Sequence, residues 1–474
     1  MVTRRCIDLS SDYNRIRAIL TYYMAADISA APSPADHRGP AFLPKRLRGI
    51  LFVLPSVLRD PLTALLEAQR ECGNIVCFRA TDQPIVMFCH PDQVQHVLHE
   101  RHMRYGKGAA YRFLEPVLGR GLLTTDGDEW KRLRRLVTPT FSREHRDDLL
   151  RHVAAATEAM LDRWDAKARC GETVSVRDEM FEVTLDALLR STFSSGVENR
   201  GRELRDAFLA ADSHIELTRG MNPLKVPEWV PTPKNRAFRA ALRYLDTFIE
   251  DLIEARQRNL GSAPPDLLTM LLQSRDQETG EALSRRQVRD MVMALMHGGY
   301  EPLSDALTWT FYLLARHPQI LNLLPSEPLT EMVCLEALRL YPPGWGFGRT
   351  AIEEDEVAGW RIPKGTLVLL SPWVTQRLPE FWEAPDTFDP YRFSPERSAG
   401  RHRFAYFPFA AGPRICIGRE FALQEMGMIL TRVLERFQIH VAPGEDPRPV
   451  ATYGLIPDRP ILMNIIRREI VACA

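Results

Sequence analysis

One ten-residue segment, positions 409–418, constrains this chain more than any other feature, and it reads Phe-Ala-Ala-Gly-Pro-Arg-Ile-Cys-Ile-Gly. After it, apolar residues recur mostly at helical spacing over 417–437 without a proline, which predicts a helix. Cys416 therefore lies where a helix begins, and the unpaired amide groups there favour a thiolate. Gly412 and Gly418 have no Cβ, so the backbone can turn tightly and approach a flat ligand closely. These features favour a thiolate at Cys416 beside a backbone that a flat ligand can approach.

The two remaining fixed residues of the segment suit the same chemistry. Arg414 is a permanent cation that matches a carboxylate, and Phe409 can cover the sulfur of Cys416 and exclude water. The spacing Phe-x-x-Gly-x-Arg-x-Cys-x-Gly resembles the haem-binding loop of the cytochrome P450 superfamily at every fixed position. The resemblance implies haem b, with Cys416 as the iron ligand and Phe409, Arg414 and Gly418 beside the cofactor. The alternative is that Cys416 is a buried core thiol, the usual role of a free cysteine.

Two further segments resemble that family, in the same order along the chain. Glu336 and Arg339 form a Glu-x-x-Arg pattern, and Arg392 follows in the segment Phe-Asp-Pro-Tyr-Arg-Phe. The resemblance implies a buried triad in which two planar guanidinium groups flank the Glu336 carboxylate and fix the loop that carries Cys416. Alone, Glu-x-x-Arg is a weak pattern, because surface helices often place opposite charges three residues apart.

Three residues elsewhere resemble the family's ligands of the haem propionates. Trp130 and Arg134 match its Trp-x-x-x-Arg helix, and Arg349 follows the Tyr-Pro-Pro segment at 341–343, at the place of another propionate arginine. Gln376 stands where relatives often have a histidine, and we assign it no such role. The alternative for both arginines is ordinary solvated charge.

The resemblance runs from about position 60 to about position 465 and implies a mainly α fold with a minor β-sheet. In that fold the haem lies between a long central helix and the helix after the cysteine loop. We expect a flexible N-terminal segment over 1–40 and a single catalytic domain over 41–474. Hydrophobic periodicity supplies the coarse elements. The predicted strands are Ile75–Phe78 and Ile85–Cys89, and the predicted helices cover 91–100, 146–168, 178–193, 233–258 and 285–317.

The predicted long helix departs from the family at one position. Its counterpart crosses the distal haem face and carries an acid followed by a threonine, whereas this chain has proline at the threonine position. Proline has no hydroxyl to relay a proton and costs about 3 kcal/mol inside a helix, so we expect the helix to open around 298–302. The alternatives are that Pro302 merely kinks the helix, or that Ser304 supplies the alcohol from a displaced helix. The positions that we expect to act in catalysis are Gly298, Gly299, Glu301 and Pro302.

Two regions rich in loop-forming residues cover 101–123 and 213–235. By resemblance to the family, we expect both to border the distal pocket and to contact the substrate. Long loops in compact domains are commonly functional. The alternative is that they are ordinary surface connections.

Charge narrows the choice of partners. Lysine plus arginine and aspartate plus glutamate both total 61, which points to neither a nucleic acid nor an acidic surface. In the family, a basic face beside the cysteine loop receives electrons from a small acidic redox protein, so the resemblance implies a ferredoxin or a flavodoxin. The alternative is a solvated basic face without a partner. The basic residues concerned are Lys131, Arg132, Arg135, Arg401, Arg403 and Arg419.

Eight cysteines at irregular spacing show no disulfide or zinc framework, so we expect reduced thiols. The apolar stretch Ile50–Leu54 is too short to span a bilayer. We see no anchor or signal sequence and expect a soluble, cytoplasmic monomer, similar to the bacterial members of the family.

Three functional hypotheses follow. The leading one is a haem-thiolate oxidoreductase that oxidises a small to medium, largely apolar metabolite in bacterial specialised metabolism. Dioxygen and two electrons would come through a separate redox partner, and proton delivery would not use the usual threonine. The second is peroxide-driven oxidation, or a redox-neutral rearrangement or dehydration, on the same haem. The third is a haem-based sensor or carrier that binds a ligand without turnover.

Overall fold

The computed structural model describes residues 60–78, 85–194, 200–218, 229–326 and 328–468. The predicted flexible segment 1–40, the apolar stretch 50–54 and positions 219–228 of the second predicted loop lie outside the described residues. The described chain is mainly α-helical with small β-sheets, which confirms the predicted fold class.

The α-helices of the described residues vary from one turn to 32 residues in length. None of them combines the length and the apolar character that a membrane-crossing helix needs. In chain order they are α1 (Pro61–Cys72), α2 (Pro91–Gln95), α3 (Ala109–Arg112), α4 (Glu115–Leu118), α5 (Gly127–Val137), α6 (Arg143–Arg169), α7 (Val176–Phe193), α8 (Gly201–Thr218), α9 (Pro233–Arg258), α10 (Leu267–Gln273), α11 (Arg285–Arg316), α12 (Pro318–Leu321), α13 (Leu329–Leu340), α14 (Pro372–Thr375), α15 (Pro395–Ser398) and α16 (Arg419–Arg436). A π-helical turn covers His96–Glu100, and short 3-10 segments cover His102–Arg104, Thr138–Phe141, Leu260–Ser262, Pro390–Phe393, Arg403–Ala405 and Gly412–Arg414.

The largest described sheet has five strands in the order β1-β2-β8-β5-β3. β2 and β8 run parallel and its other neighbouring strands pair antiparallel. A three-stranded sheet has the order β4-β12-β9, and β6-β7 and β10-β11 form two antiparallel pairs. The strands are β1 (Ile75–Phe78), β2 (Ile85–Phe88), β3 (Tyr105–Gly106), β4 (Thr173–Ser175), β5 (Phe347–Ala351), β6 (Asp355–Val357), β7 (Trp360–Ile362), β8 (Leu367–Leu370), β9 (Phe437–Val441), β10 (Pro449–Ala451), β11 (Leu455–Pro457) and β12 (Leu462–Arg467).

Most predicted elements lie within a few residues of the observed ones. The helix predicted over 91–100 divides into α2 and a π-helical turn. The region 213–235, predicted to be rich in loops, is helical at its start, because α8 continues to Thr218. At its other end α9 begins at Pro233, as predicted for the helix over 233–258. Thr232 caps α9 by accepting the Asn235 N–H, and Pro233 occupies the first turn of the helix.

Helix α11 runs without interruption through Pro302. It begins at a capping box, in which Ser284 and Gln287 each accept the backbone N–H of the other. The prediction that this helix opens around 298–302 is therefore wrong. A proline costs a helix about 3 kcal/mol, whereas each fully buried large apolar side chain contributes about 1.5–3 kcal/mol. Most residues of α11 are buried, so packing along the whole helix outweighs the cost of one proline.

Close packing against α7 fixes the middle of α11. A Cβ at Gly299 would lie 2.9 Å from Leu188 Cδ1, so the two helices approach each other at a glycine. The Thr184 hydroxyl donates to the Tyr300 carbonyl at 3.2 Å. The rings of Tyr300 and Phe181 lie edge to face with centroids 4.9 Å apart. These contacts set which face of α11 is turned away from α7.

One hydrophobic core joins α11 to α16. Ile429 and Leu430 of α16 are buried in the same cluster as Leu307 and Phe311 of α11. The middle of α11 and the loop that precedes α16 consequently border one cavity.

Candidate active site

A cavity of about 1560 Å³ separates the middle of α11 from the loop that precedes α16. Its lining includes Gly298, Pro302 and Ala306 from the helix and Phe409 and Cys416 from the loop. Pockets for one small ligand usually measure about 300–1,000 Å³. The cavity therefore has room for a cofactor together with a substrate.

Backbone geometry holds the cysteine loop in one conformation. The Cys416 N–H donates to the Phe409 carbonyl at 3.0 Å. Gly412 has a φ of +69°, and a Cβ there would lie 1.8 Å from the Leu98 carbonyl oxygen, so only glycine fits. Helix α16 begins at Arg419, which places Cys416 just before the first helical turn.

The Cys416 thiol is exposed to the cavity, while the surrounding protein keeps it away from bulk water. Burial raises the pKa of this thiol, and the Gly418 N–H and the charges of Arg134 and Arg419 act in the opposite direction. Burial is the largest of these effects, so the helix start alone does not make Cys416 a thiolate. A bound metal ion deprotonates a coordinating thiol outright, and the three opposing groups would then stabilise the anion.

The four residues predicted to contact the haem propionates all line the same cavity. Arg134 Nη1 donates to the Ile415 carbonyl at 3.0 Å, and Arg349 Nη1 donates to the Tyr111 hydroxyl at 3.2 Å. Arg414 Nη2 donates to Asp126 Oδ1 at 2.8 Å. The four residues are Trp130, Arg134, Arg349 and Arg414.

Lys107 is a further cavity residue, and the sequence patterns miss it. It is buried and its Nζ donates to the carbonyls of Leu122 at 2.7 Å and Thr125 at 3.0 Å. Burial, followed by the charges of nearby arginines, lowers the pKa of Lys107 to about 7. The available sequence signal was its place between Gly106 and Gly108, which allow the backbone to pass close to its neighbours.

The charges in the cavity show whether a haem fits. The cationic cluster consists of Lys107, Arg134, Arg349 and Arg414. Partly or fully buried cations need anions, and Asp126 supplies one carboxylate to the cluster. Arg414 Nε has no hydrogen-bond partner among the described residues. Two propionate carboxylates would supply the missing negative charge and acceptors.

Gly298 meets a second requirement of a flat cofactor. It is exposed to the cavity, and a Cβ built on it would meet no described atom within 4 Å. The helix therefore presents bare backbone to the cavity at this point, where a planar ring can approach. Together with the cationic cluster and the Cys416 sulfur, this open face fits a haem.

The Glu336 carboxylate lies between two guanidinium groups on the protein side of the cysteine loop. Arg339 donates to both of its oxygens, from Nε at 2.7 Å and from Nη2 at 2.8 Å. Arg392 Nε lies 3.3 Å from Oε1, and the Asp389 N–H donates to the same oxygen at 3.0 Å. The carboxylate is thus fully hydrogen-bonded although it is buried.

Gln376 connects this ion-pair cluster to the cysteine loop. Its carbonyl accepts from Arg339 Nη1 at 3.0 Å, and its side-chain oxygen accepts the Phe407 N–H at 3.0 Å. Phe407 lies shortly before the cysteine segment. The geometry gives Gln376 a structural role within the protein, in agreement with its having no propionate assignment.

The four distal positions, Gly298, Gly299, Glu301 and Pro302, all line the cavity. Ser304 lies outside the described lining, and its hydroxyl donates to the Glu301 carbonyl of its own helix at 2.9 Å. Ser304 therefore does not supply an alcohol to the cavity. His297, which the sequence patterns miss, has its Nε2 3.7 Å from Glu301 Oε2. The sequence signal for it was the four-residue spacing that places both on one face of a helix.

The two regions predicted to contact substrate differ. The first, 101–123, contributes apolar residues such as Phe113 and Leu122 to the cavity lining. The described residues of the second, 213–235, lie outside that lining, so they give no support to a substrate contact.

The predicted basic face is largely paired within the protein. Arg132 Nε lies 3.6 Å from Asp276 Oδ2, and Arg135 Nη2 lies 3.0 Å from Glu278 Oε2. Arg401 stacks on the Trp382 ring at 4.2 Å from its centroid. The remaining cations are more exposed: Lys131, 2.8 Å from Asp128, Arg419, 3.6 Å from Glu420, and Arg403.

Known proteins are similar to this chain in sequence and in fold. A family model described as Cytochrome P450 matches residues 40–464. The chain is 31% identical to cyclooctatin synthase of Streptomyces melanosporofaciens, over 82% of this chain and 88% of that protein. It is also 31% identical to pentalenene oxygenase of Streptomyces avermitilis, over 84% of this chain and 91% of that protein. Among solved structures, the cytochrome P450DA heme domain has a TM-score of 0.79 and 26% identity, covering 92% of this chain and 98% of that chain.

Proposed function

The chain belongs to the cytochrome P450 family, and from that premise we propose that it is a haem-thiolate monooxygenase that oxidises a largely apolar metabolite with dioxygen. Residues 41–474 would form its single catalytic domain. The observation that carries the proposal is one cavity bordered by the Cys416 sulfur, the cationic cluster and the bare backbone of α11. The residues that would bind the iron, hold the two propionates and leave the distal face open thus border one cavity.

The haem of this family gives the residues around the cavity defined roles. Cys416 would hold the iron, Phe409 and Gly418 would lie beside the sulfur, and the cationic cluster with Trp130 would hold the propionates. The haem supplies activation of dioxygen, with electron density donated by the thiolate. The cysteine loop would be kept in place by the buried ion-pair cluster of Glu336, Arg339 and Arg392.

The substrate class follows from the lining and from the relatives. The described part of the cavity away from the cationic cluster includes apolar side chains such as Phe113, Leu188 and Leu295. Pentalenene oxygenase and cyclooctatin synthase carry names that point to terpene-type compounds. We propose a terpene-like substrate of small to medium size, in the specialised metabolism of a bacterium.

The electron donor would be a separate redox protein, a ferredoxin or a flavodoxin, and the enzyme would act as a monomer. Arg132, paired with Asp276, is the least exposed cation of its helix on the predicted basic face. Lys131, Arg135, Arg403 and Arg419 are the more exposed cations that an acidic partner would meet. Salt would weaken such a contact, because exposed charges are screened.

Reconstitution tests the function. The haem-loaded protein would receive NADPH, a plant-type ferredoxin with its reductase, and labelled dioxygen, with a panel of terpene hydrocarbons and alcohols. A product that carries one labelled oxygen, formed only with reductant, supports the proposal. Product formed with hydrogen peroxide alone supports the peroxide-driven alternative, which the absence of an alcohol at Pro302 favours. Ligand-dependent spectra without any product would instead indicate a sensor or carrier.

A further inference from the structure

Three titratable side chains meet between α8 and α11, away from the cationic cluster. His297 Nε2 lies 2.7 Å from Asp212 Oδ1 and 3.7 Å from Glu301 Oε2. His297 and Glu301 are one turn apart on α11 and share a face, whereas Asp212 comes from α8. A single imidazole nitrogen thus faces two carboxylates from two helices.

The three side chains differ in the accessible fraction of their surface and in whether they reach the cavity. The His297 side chain has 0% of its surface accessible, while Asp212 and Glu301 each have 10%. Glu301 lines the cavity, and Asp212 and His297 lie outside its described lining. The imidazole is therefore enclosed by protein and lies between two carboxylates, of which only Glu301 borders the cavity.

Aromatic contacts fix the imidazole. The Tyr453 ring lies 4.7 Å from the His297 ring at an interplanar angle of 74°, and the Tyr300 ring lies 6.4 Å away at 70°. His297 Nδ1 has no hydrogen-bond partner among the described residues. Nε2 is consequently the nitrogen that exchanges hydrogen bonds with Asp212 and Glu301.

Pro302, the residue after Glu301, bears on what the Asp212, His297 and Glu301 cluster does. Pro302 lines the cavity and has no side-chain donor or acceptor, and the Ser304 hydroxyl is bonded to the Glu301 carbonyl. We infer that Asp212 and His297 form a proton relay that recharges Glu301, which delivers protons to the cavity where the family uses an alcohol. This inference rests on the proposed monooxygenase function, since that reaction consumes protons in the cavity.

The proton step balances without any electron transfer. Asp212 takes a proton from a hydronium ion of the solvent, which leaves water, and becomes a neutral carboxyl group. His297, with its own proton on Nδ1, accepts the Asp212 proton on Nε2 and then passes it to Glu301 Oε2, so the imidazole ends as it began. One proton has then moved from Asp212 to Glu301. The 3.7 Å separation of Nε2 and Oε2 must shorten for the transfer, which is common where proton-transfer contacts tighten only with ligands bound.

A divalent metal ion is the competing occupant of this cluster. The ligand atoms of Asp212, His297 and Glu301 all lie within 4.8 Å of one another, and an imidazole with two carboxylates is a common ligand set. The two interpretations differ in a measurable way. A relay needs a carboxyl proton that exchanges with solvent, whereas a metal site excludes that proton.

The relay residues are tested in the haem-loaded full chain with Asp212→Asn, Asp212→Glu and Glu301→Gln. Asp206→Asn is the matched control, because Asp206 is an exposed acid on the same helix. Asn keeps a hydrogen-bond partner for His297 but cannot carry the proton. We expect Asp212→Asn and Glu301→Gln to slow product formation at least about tenfold and to release the consumed oxygen as hydrogen peroxide. Asp212→Glu should restore most of the coupling, and Asp206→Asn should match the wild type.

Two readouts separate a relay from a merely structural role. The solvent deuterium isotope effect on product formation should rise in Asp212→Asn, since proton supply becomes slower. Infrared spectra of the carbon monoxide complex should contain a protonated-carboxyl band that shifts in heavy water, disappears in Glu301→Gln and persists in Asp305→Asn, since the buried Asp305 carboxyl is a separate source of such a band. The infrared test does not depend on turnover. A wild-type protein that makes no product contradicts the proposed function, whereas the presence or absence of the carboxyl band still tests the relay.

Three results would overturn the inference. The first is an Asp212→Asn variant with wild-type coupling and isotope effect. The second is a wild-type infrared spectrum without the exchangeable band. The third is stoichiometric zinc or another divalent metal, in addition to iron, that the wild type holds and Asp212→Asn loses.

Discussion

Glu336 and Arg339 face each other through two parallel hydrogen bonds, of 2.7 and 2.8 Å, with both side chains at 0% exposure. They are three residues apart on α13, which brings the two side chains to one face of the helix. Because neither group reaches water, Arg339 depends on Glu336 for compensation of its charge, and Glu336 depends on Arg339 together with Arg392. Breaking a buried pair by removing one partner typically costs about 3–5 kcal/mol.

Arg339→Ala should lower the free energy of unfolding by about 3–5 kcal/mol and reduce haem content, because it removes two hydrogen bonds from the buried Glu336 carboxylate and leaves the Gln376 carbonyl without this donor. Chemical denaturation and haem absorbance measure both effects. Arg397→Ala is the control, since Arg397 pairs with Asp389 at 2.7 Å but is 43% exposed, and it should cost about 0–1 kcal/mol. Equal losses in the two variants would show that burial does not decide the strength of these pairs.

Gly412→Ala should prevent stable haem binding. The residue has a φ of +69°, and its Cβ would lie 1.8 Å from the Leu98 carbonyl oxygen, so the cysteine loop would have to move. Gly427→Ala is the opposite control, because Gly427 lies inside α16 with no described atom within 4 Å of its Cβ position. It should stabilise the protein by up to about 1 kcal/mol. Haem retention after gel filtration distinguishes them, and full retention in Gly412→Ala would contradict the account of the loop.

Gly298→Ala and Gly299→Ala should act in different ways although they are adjacent. The Gly298 Cβ would enter the cavity, so we expect unchanged or slightly higher apo-protein stability with weaker haem and substrate binding. The Gly299 Cβ would lie 2.9 Å from Leu188, so we expect a loss of about 1–3 kcal/mol through overpacking. Thermal unfolding and haem titration check both, and a destabilised Gly298→Ala with normal haem affinity would reverse the assignment of the two faces.

Asp305 should make stability depend on pH. It is fully buried on α11, 3.6 Å from Arg177, and burial raises the pKa of its carboxyl to about 7 from the ordinary 3.8, against the charge of Arg177. The folded protein then keeps a proton that the unfolded chain loses above pH 3.8. This contribution is greatest below the lower value and is lost as pH rises towards about 7, by up to about 1.4 kcal/mol per pH unit.

The difference between wild type and Asp305→Asn isolates this effect, since groups distant from Asp305 titrate alike in both. Free energies of unfolding measured by denaturant from pH 4.5 to 7.5 should show a steeper decline in the wild type, by at most about 1.4 kcal/mol per pH unit. Parallel curves would mean that Asp305 keeps its ordinary pKa.

The long helices and the cysteine loop were predictable because they depend on local patterns. Periodicity predicts 285–317 for a helix that covers Arg285–Arg316. The continuity of that helix at Pro302 was not predictable, because it depends on packing against α7 and α16. The helical end of α8 at Thr218 was missed for the same reason.

The site residues that the sequence patterns miss lie beside residues that are far away along the chain. Lys107 meets Arg349 and Arg414, and Asp212 meets His297 across 85 positions. No periodicity or short motif encodes such a meeting, since it results from how whole helices pack. The local signals were the two glycines that flank Lys107 and the four-residue spacing of His297 from Glu301.

The carbon monoxide spectrum of the reduced protein tests the central claim, that Cys416 is the iron ligand, most directly. The wild type should give the strongly red-shifted Soret band of a thiolate-bound haem, and Cys416→His should retain a haem with the shorter-wavelength band of imidazole ligation. Cys416→Ala should bind haem weakly. A wild-type spectrum without the red-shifted band, or a Cys416→Ala variant with the same spectrum and haem content as the wild type, would contradict the account.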